Sequence, residues 1–160
     1  MKLILLPVAA FTLIACQSFH SNDPSSMFFN IPAGSTLTLN KDLKISPQNT
    51  HALIQGGKAV TENEKNEYSI NCRLELKKFG PRTIKPETFK ILRTEDGSEW
   101  VSQPAIKRFY TEVHLVSNKD TDIIKLECQV WGDNIDRNFT VSEMEDALGD
   151  YFSFTFKRNN

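Results

Sequence analysis

The chain of 160 residues has no excess of either charge, with 19 Lys and Arg against 20 Asp and Glu. A nucleic-acid binder carries a clustered basic face, and none is legible, so no nucleic-acid partner is expected. Long apolar runs are also missing. Leu3 to Ala15 falls short of the ~20 residues that a membrane-crossing helix takes. Histidine and cysteine are scarce, three of each. Neither Cys72 nor Cys128 has a Cys or His partner at zinc-ligand spacing, so no metal centre is expected, and no cofactor either. Trp131 to Asn138 (WGDNIDRN) is rich in oxygen ligands. It does not fit the spaced acidic loop of a calcium site, and Asp and Asn bonding their own backbone make it a turn.

What is present begins at the N-terminus. Lys2 precedes the apolar run, and a small residue, Ala15, precedes Cys16; together they describe a secretory signal peptide over residues 1–15. Leu13-Ile14-Ala15-Cys16 also resembles the lipobox of bacterial lipoproteins. That resemblance implies cleavage before Cys16, a diacylglycerol on its thiol and a further acyl chain, such as palmitate, on the new N-terminus. Each buried CH₂ contributes ~0.8 kcal/mol, so two or three chains hold far better than one. By the same resemblance Gln17, where Asp would favour retention in the inner membrane, points to the outer membrane. The expected location is therefore the outer membrane, lipid-anchored and facing the periplasm.

With Cys16 committed to lipid, Cys72 and Cys128 remain in an oxidising compartment, where an even remainder reads as a disulfide. Closing so long a loop is worth about 4 kcal/mol on the chain-entropy argument. The rival reading is two separate buried thiols.

Residues 16–27 hold the lipidated Cys and a polar, turn-rich tether, QSFHSNDPSS from Gln17, able to extend about 35 Å. Residues 28–160 form one domain. Its patterning has period two: Leu37, Leu39, Leu43 and Ile45 share a parity, and Tyr68 to Lys77 alternates apolar with polar, placing Cys72 inward. His51–Gln55 and Lys58–Val60 flank Gly56-Gly57, a type I′ hairpin signal. Thr88 to Arg93 reads as a strand and Asp96-Gly97 as a turn before Trp100-Val101. Arg108–Val116 and Ile123–Trp131 pair in a register that sets Val113 opposite Leu126 and Thr111 opposite Cys128, with Ile124, Leu126, Cys128 and Val130 inward. Ser142 with Glu145 has capping-box form, opening a short helix that stops at Gly149. Phe152, Phe154 and Phe156 close the core. The fold expected is all-β, a sandwich-like or open-barrel set of antiparallel sheets with one short helix near the C-terminus. Trp100 lies too far beyond Cys72 for an immunoglobulin framework.

HALIQGG, NCRLELK, GPRTIKPETFKILR and VSEMEDALGDYFSF together resemble a family of small uncharacterised lipoproteins of Gram-negative bacteria, over most of residues 50–156. That family carries no activity, substrate or catalytic residue across. Two functions stay open. One is a non-enzymatic, lipid-anchored binding or interaction module, held in the membrane by the acyl chains on Cys16 and offering a sheet edge or loop end to an envelope protein. The other is a small envelope hydrolase or metal-dependent enzyme using Glu112 and His114, which share a strand face beside Tyr110. Arg73, Arg82, Arg93 and Lys85 are either an anion site or the solvated face of strands.

The Cys16→Ser protein is expected to be unprocessed or soluble, and to take up no acyl label. Membrane fractionation with continued acyl labelling would refute the anchor.

Overall fold

The computed structural model describes residues 21–119 and 121–157; the signal segment, Cys16 and Gln17 lie outside the described residues. Alternation of apolar and polar side chains produces strands wherever one face has a core to bury. They are β1 (Thr36–Leu39), β2 (Leu43–Ile45), β3 (His51–Gln55), β4 (Lys58–Val60), β5 (Asn71–Leu76), β6 (Arg82–Ile84), β7 (Glu87–Ser102), β8 (Ile106–Val116), β9 (Ile123–Asp133) and β10 (Phe152–Thr155), with one helix, α1 (Val141–Leu148). Eight of them form a single antiparallel sheet, ordered β10-β1-β7-β8-β9-β5-β3-β4, curled into a half-barrel; β2 and β6 pair apart from it. Of the sandwich-like and open-barrel arrangements expected, the open barrel is the one found.

The concave side holds the core. Leu37, Leu39, Ile54, Leu74, Phe89, Ile91, Val113 and Leu126 are buried there, and α1 lies across them through Met144 and Leu148. The helix closes part of the gap that the sheet leaves open. The Gly57 N–H, in the β3–β4 turn, donates to the Ala147 carbonyl at 3.0 Å. Gly149 ends the helix at φ +53°, and a Cβ there would stand 2.5 Å from Gly57 Cα. Only glycine satisfies both the left-handed backbone and the contact.

Cys72 and Cys128 are register partners in β5 and β9. Both are 0% exposed, and their sulfurs stand at bonding distance, 2.07 Å. The pair is placed to staple two neighbouring strands in the middle of the sheet.

Several boundaries differ from the sequence reading. β7 runs straight through Asp96-Gly97 and turns only after Ser102. A Cβ at Gly97 would lie 2.4 Å from the Tyr110 phenol opposite it, so this glycine serves a close side-chain approach within a strand, not a turn. β5 starts at Asn71. Tyr68 lies outside it, its ring edge-on to Trp131 at 5.9 Å. The parity of β9 breaks at a bulge, where Glu75 faces Lys125 but Leu76 faces Ile123. That extra residue turns Ile124 outward and sends Ile123 into the core. The capping box is Thr140 with Glu143, two residues earlier than Ser142 with Glu145. Finally, Ser21 to Met27, read as the end of a tether, is already hydrogen-bonded to the domain: Ser21 N–H to the Phe28 carbonyl at 3.2 Å and Ser142 N–H to the Pro24 carbonyl at 3.1 Å.

Peptide mapping of the protein purified under non-reducing conditions is expected to find Cys72 joined to Cys128. The Cys72→Ala, Cys128→Ala double variant should lose about 2–4 kcal/mol in urea unfolding. Free thiols together with unchanged stability would refute the staple.

Candidate functional site

The convex face of the central strands carries the charged parity. β7, β8 and β9 align Glu95, Glu112 and Glu127 in one row, continued by Arg73 on β5. Like charges directly opposite one another destabilise a sheet, and here cations interleave them. The Lys125 ammonium donates to Glu112 at 2.5 Å and to Glu127 at 2.7 Å. Arg73 reaches Glu127 at 3.1 Å and Glu75 at 2.8 Å. Arg108 pairs with Glu127 and, at 2.8 Å, with Glu99. Glu127, only 3% exposed, is the hub. Its burial alone would push its carboxyl up, but the Lys125 hydrogen bond and the charges of Arg108, Arg73 and Lys125 outweigh that and hold it below the usual carboxylate range.

His114 and Glu112 belong to the same face. The imidazole Nε2 lies 3.2 Å from Glu112 and 3.9 Å from Glu95, buried and making no hydrogen bond. One ligand atom from each of Glu95, Glu112 and His114 falls within 4.8 Å of the others. Sequence spacing supplied only the last two, because Glu95 comes from a strand section that had been read as the approach to a turn. The donor types suit a divalent cation. Each carboxylate nevertheless has a cation already, Lys125 on Glu112 and Arg93 on Glu95 at 2.7 Å. A metal ion would have to displace both.

Arg73, Arg82, Arg93 and Lys85 do not gather into an anion site. Arg82 pairs with Asp122 at 2.9 Å and Lys85 with Asp42 at 2.6 Å, while Arg73 and Arg93 are held as above. Each is neutralised by its own carboxylate, the solvated-face alternative. The WGDNIDRN segment turns as expected, the Asp133 N–H donating to the Asp136 carboxylate at 2.6 Å and the Asp136 N–H to the Asp133 carbonyl at 3.0 Å.

A second polar group lies on the opposite, concave side. Thr94, Asp96 and Thr111 form the floor of a cavity of about 210 Å³, walled by Phe29 and Asn30 on one side and by Asn138 and Met144 on the other. The Thr111 hydroxyl donates to Asp96 at 2.6 Å. Asp96 was hidden in the sequence by the glycine after it, and its pairing with Thr111 on β8 is what sets it on this side. Neither Glu112 nor His114 lines this cavity.

In comparisons with known proteins, no family model, no curated protein and no solved structure matches the chain.

Glu127→Gln is expected to cost about 3 kcal/mol at neutral pH, the scale for breaking a buried charge network. Because the folded carboxyl is depressed, its contribution is full above the ordinary value of 4.5 and is lost as pH falls through the lower folded value. The difference between wild type and variant should therefore shrink below pH 4.5 in urea titrations. A difference that is independent of pH would remove Glu127 from the network.

Proposed function

We propose that this protein is a lipid-anchored cell-envelope protein, held by acyl chains on Cys16 in the outer membrane, facing the periplasm, and acting as a non-enzymatic binding module. The observation that carries the binding half is the concave cavity. Beside the core this end keeps about 210 Å³ open, and a carboxylate sits on its floor with one oxygen oriented by Thr111. Mouths of β-barrels are a preferred place for ligand sites, with a few polar groups set among apolar walls. Phe29, Ile31, Phe139 and Met144 supply apolar walls here, and Asn30, Asn138 and Thr140 are among the polar ones.

The chemistry of the floor selects an occupant. A carboxylate with one oxygen satisfied has an oxygen left to accept, so a protonated amine or a hydroxyl fits and an anion does not. An envelope protein presenting such a side chain, seated between the Ser26 to Ile31 segment and the start of α1, is the partner this reading implies. The interaction would be non-covalent, and no cofactor enters it.

The second reading, a small hydrolase or metal-dependent enzyme at Glu112 and His114, draws support from Glu95 completing a three-residue ligand set. Against it stand Lys125 and Arg93 on the two carboxylates.

The detergent-solubilised full chain is expected to show raised thermal stability in the presence of small amines or polyols, and Asp96→Ala should abolish the effect while Glu112→Gln keeps it. No response, or one that survives Asp96→Ala, would refute the cavity as the binding site; a response lost with Glu112→Gln would move the site to the convex face.

A further inference from the structure

We propose that the free edge of β7 is a docking strip for an extended, lysine-bearing segment of a partner protein, which adds to the sheet as a further antiparallel strand. The inference rests on the reading of Asp96 as an acceptor for a cation, and it names the form in which that cation arrives.

The edge follows from the register. β1 is four residues long, and its pairing with β7 ends at Thr36 opposite Lys90. One step further, the Ile91 N–H donates to the Ser35 carbonyl at 2.8 Å, and the Ile91 carbonyl accepts from the Gly34 N–H at 3.0 Å. Both backbone groups of Ile91 therefore face away from β8, where its partner is Leu115. In an antiparallel pair that direction alternates from one residue to the next. Counted by twos along β8, Val113, Thr111, Phe109 and Lys107 hold the same kind of position, opposite Thr94, Asp96, Ser98 and Trp100. The N–H and C=O of these four β7 residues thus point off the sheet. Among the described residues, no backbone hydrogen bond engages them. Asn30 and Thr94 line the same cavity, so the chain's own segment bounds the inner end of the strip. That leaves Asp96, Ser98 and Trp100, all exposed.

An unpaired edge is a template for an added strand, with affinity from main-chain bonds and specificity from the alternate side chains. Specificity here is electrostatic. The incoming residue that pairs with Asp96 lies at a Cα separation of about 5.5 Å and shares its concave side. There one carboxylate oxygen is held by Thr111 at 2.6 Å and the other is left to accept. A lysine at that position reaches it. On the convex parity Glu95 and Glu99 each hold one arginine yet stay half-exposed, so cations suit that side of the added strand too. A second copy of this chain does not suit the strip. In any antiparallel register that pairs two of the three residues across copies, a carboxylate falls opposite or diagonal to its like, an unfavourable arrangement in a sheet.

The probe is the blocked heptapeptide Thr-Val-Lys-Thr-Thr-Lys-Lys, whose sixth residue stands opposite Asp96 and whose third and seventh stand opposite Glu99 and Glu95. It is added to the isotope-labelled, detergent-solubilised full chain, and amide exchange is followed by NMR. Expected is about tenfold slower exchange at the Asp96, Ser98 and Trp100 amides. N-methylation of the peptide's second, fourth and sixth residues, whose amides face β7, should abolish the slowing, while N-methylation of the third and fifth should keep it. Binding that survives methylation of the facing amides, or that leaves the three rates unchanged, would overturn strand addition; its loss with Asp96→Ala would then leave the cavity reading standing. Equal binding of a peptide with glutamate in place of lysine would overturn the choice of a cationic partner. Slow exchange at these amides without peptide, growing with protein concentration, would give the edge to a second copy instead. No peptide binding in a protein still stabilised by small amines through Asp96 would overturn the added strand alone, and no response to either would overturn both readings.

Discussion

The pairing of β5 with β9 governs everything else in this fold. Because side chains alternate with a period of two, the register that sets Cys72 opposite Cys128 also decides that Leu74 and Leu126 enter the core while Arg73 and Glu127 leave it. A slip by one residue would turn each side chain of one strand to the wrong face. It would bury that strand's charges and expose its cysteine. A cross-link between the two cysteines removes that alternative, since the sulfurs meet in one register alone. The disulfide-capable pair therefore acts on specificity as well as on stability.

The convex face follows from this choice and then satisfies itself. With Glu95, Glu112 and Glu127 forced into one row, the sheet would be destabilised unless cations stood between them, and Lys125, Arg73, Arg93 and Arg108 do so. The side chains lie down over one another, which is how a glutamate on an outward parity becomes almost wholly buried without entering the core. The outcome is a surface of many charges with few of them free. Such a face contributes solubility and register more than attraction for a distant partner.

Much of the architecture was legible because burial on one face imposes alternation. The β3–β4 hairpin, the β8–β9 register and the inward direction of both cysteines were all readable in the residues. The errors fall where one residue has two competing uses. Gly97 looks like half of an Asp-Gly turn, and nothing local reveals that Tyr110, from the next strand, needs the space above it. That single misreading hid Glu95 and Asp96 together, one for each face of β7. Ile123 and Ile124 are equally apolar, so only the partner strand, through the bulge, settles which of them is buried. Thr140 and Ser142 each precede a glutamate by three residues, and the choice between them depends on where β9 and its turn deliver the chain. In every case the missing information is a contact distant in sequence.

The incomplete closure of the sheet links the fold to the proposed activity. A half-barrel leaves a gap, and a helix of eight residues, about 12 Å long, cannot cover strands of 11 and 16 residues. The helix seals the part where Gly57 meets Gly149 and leaves the other part, where β7 and β8 run on past the core, without a partner layer. The segment from Ser26 to Ile31 crosses that remaining opening and walls the cavity over Asp96 without filling it. The same overhang of β7 and β8 that makes room for a ligand also carries Trp100 outward, away from the body of the domain. With the charges of the convex face paired, the cavity and the overhanging end stand out as two features of the described residues. Both arise from one mismatch of lengths, between a long hairpin and a short helix.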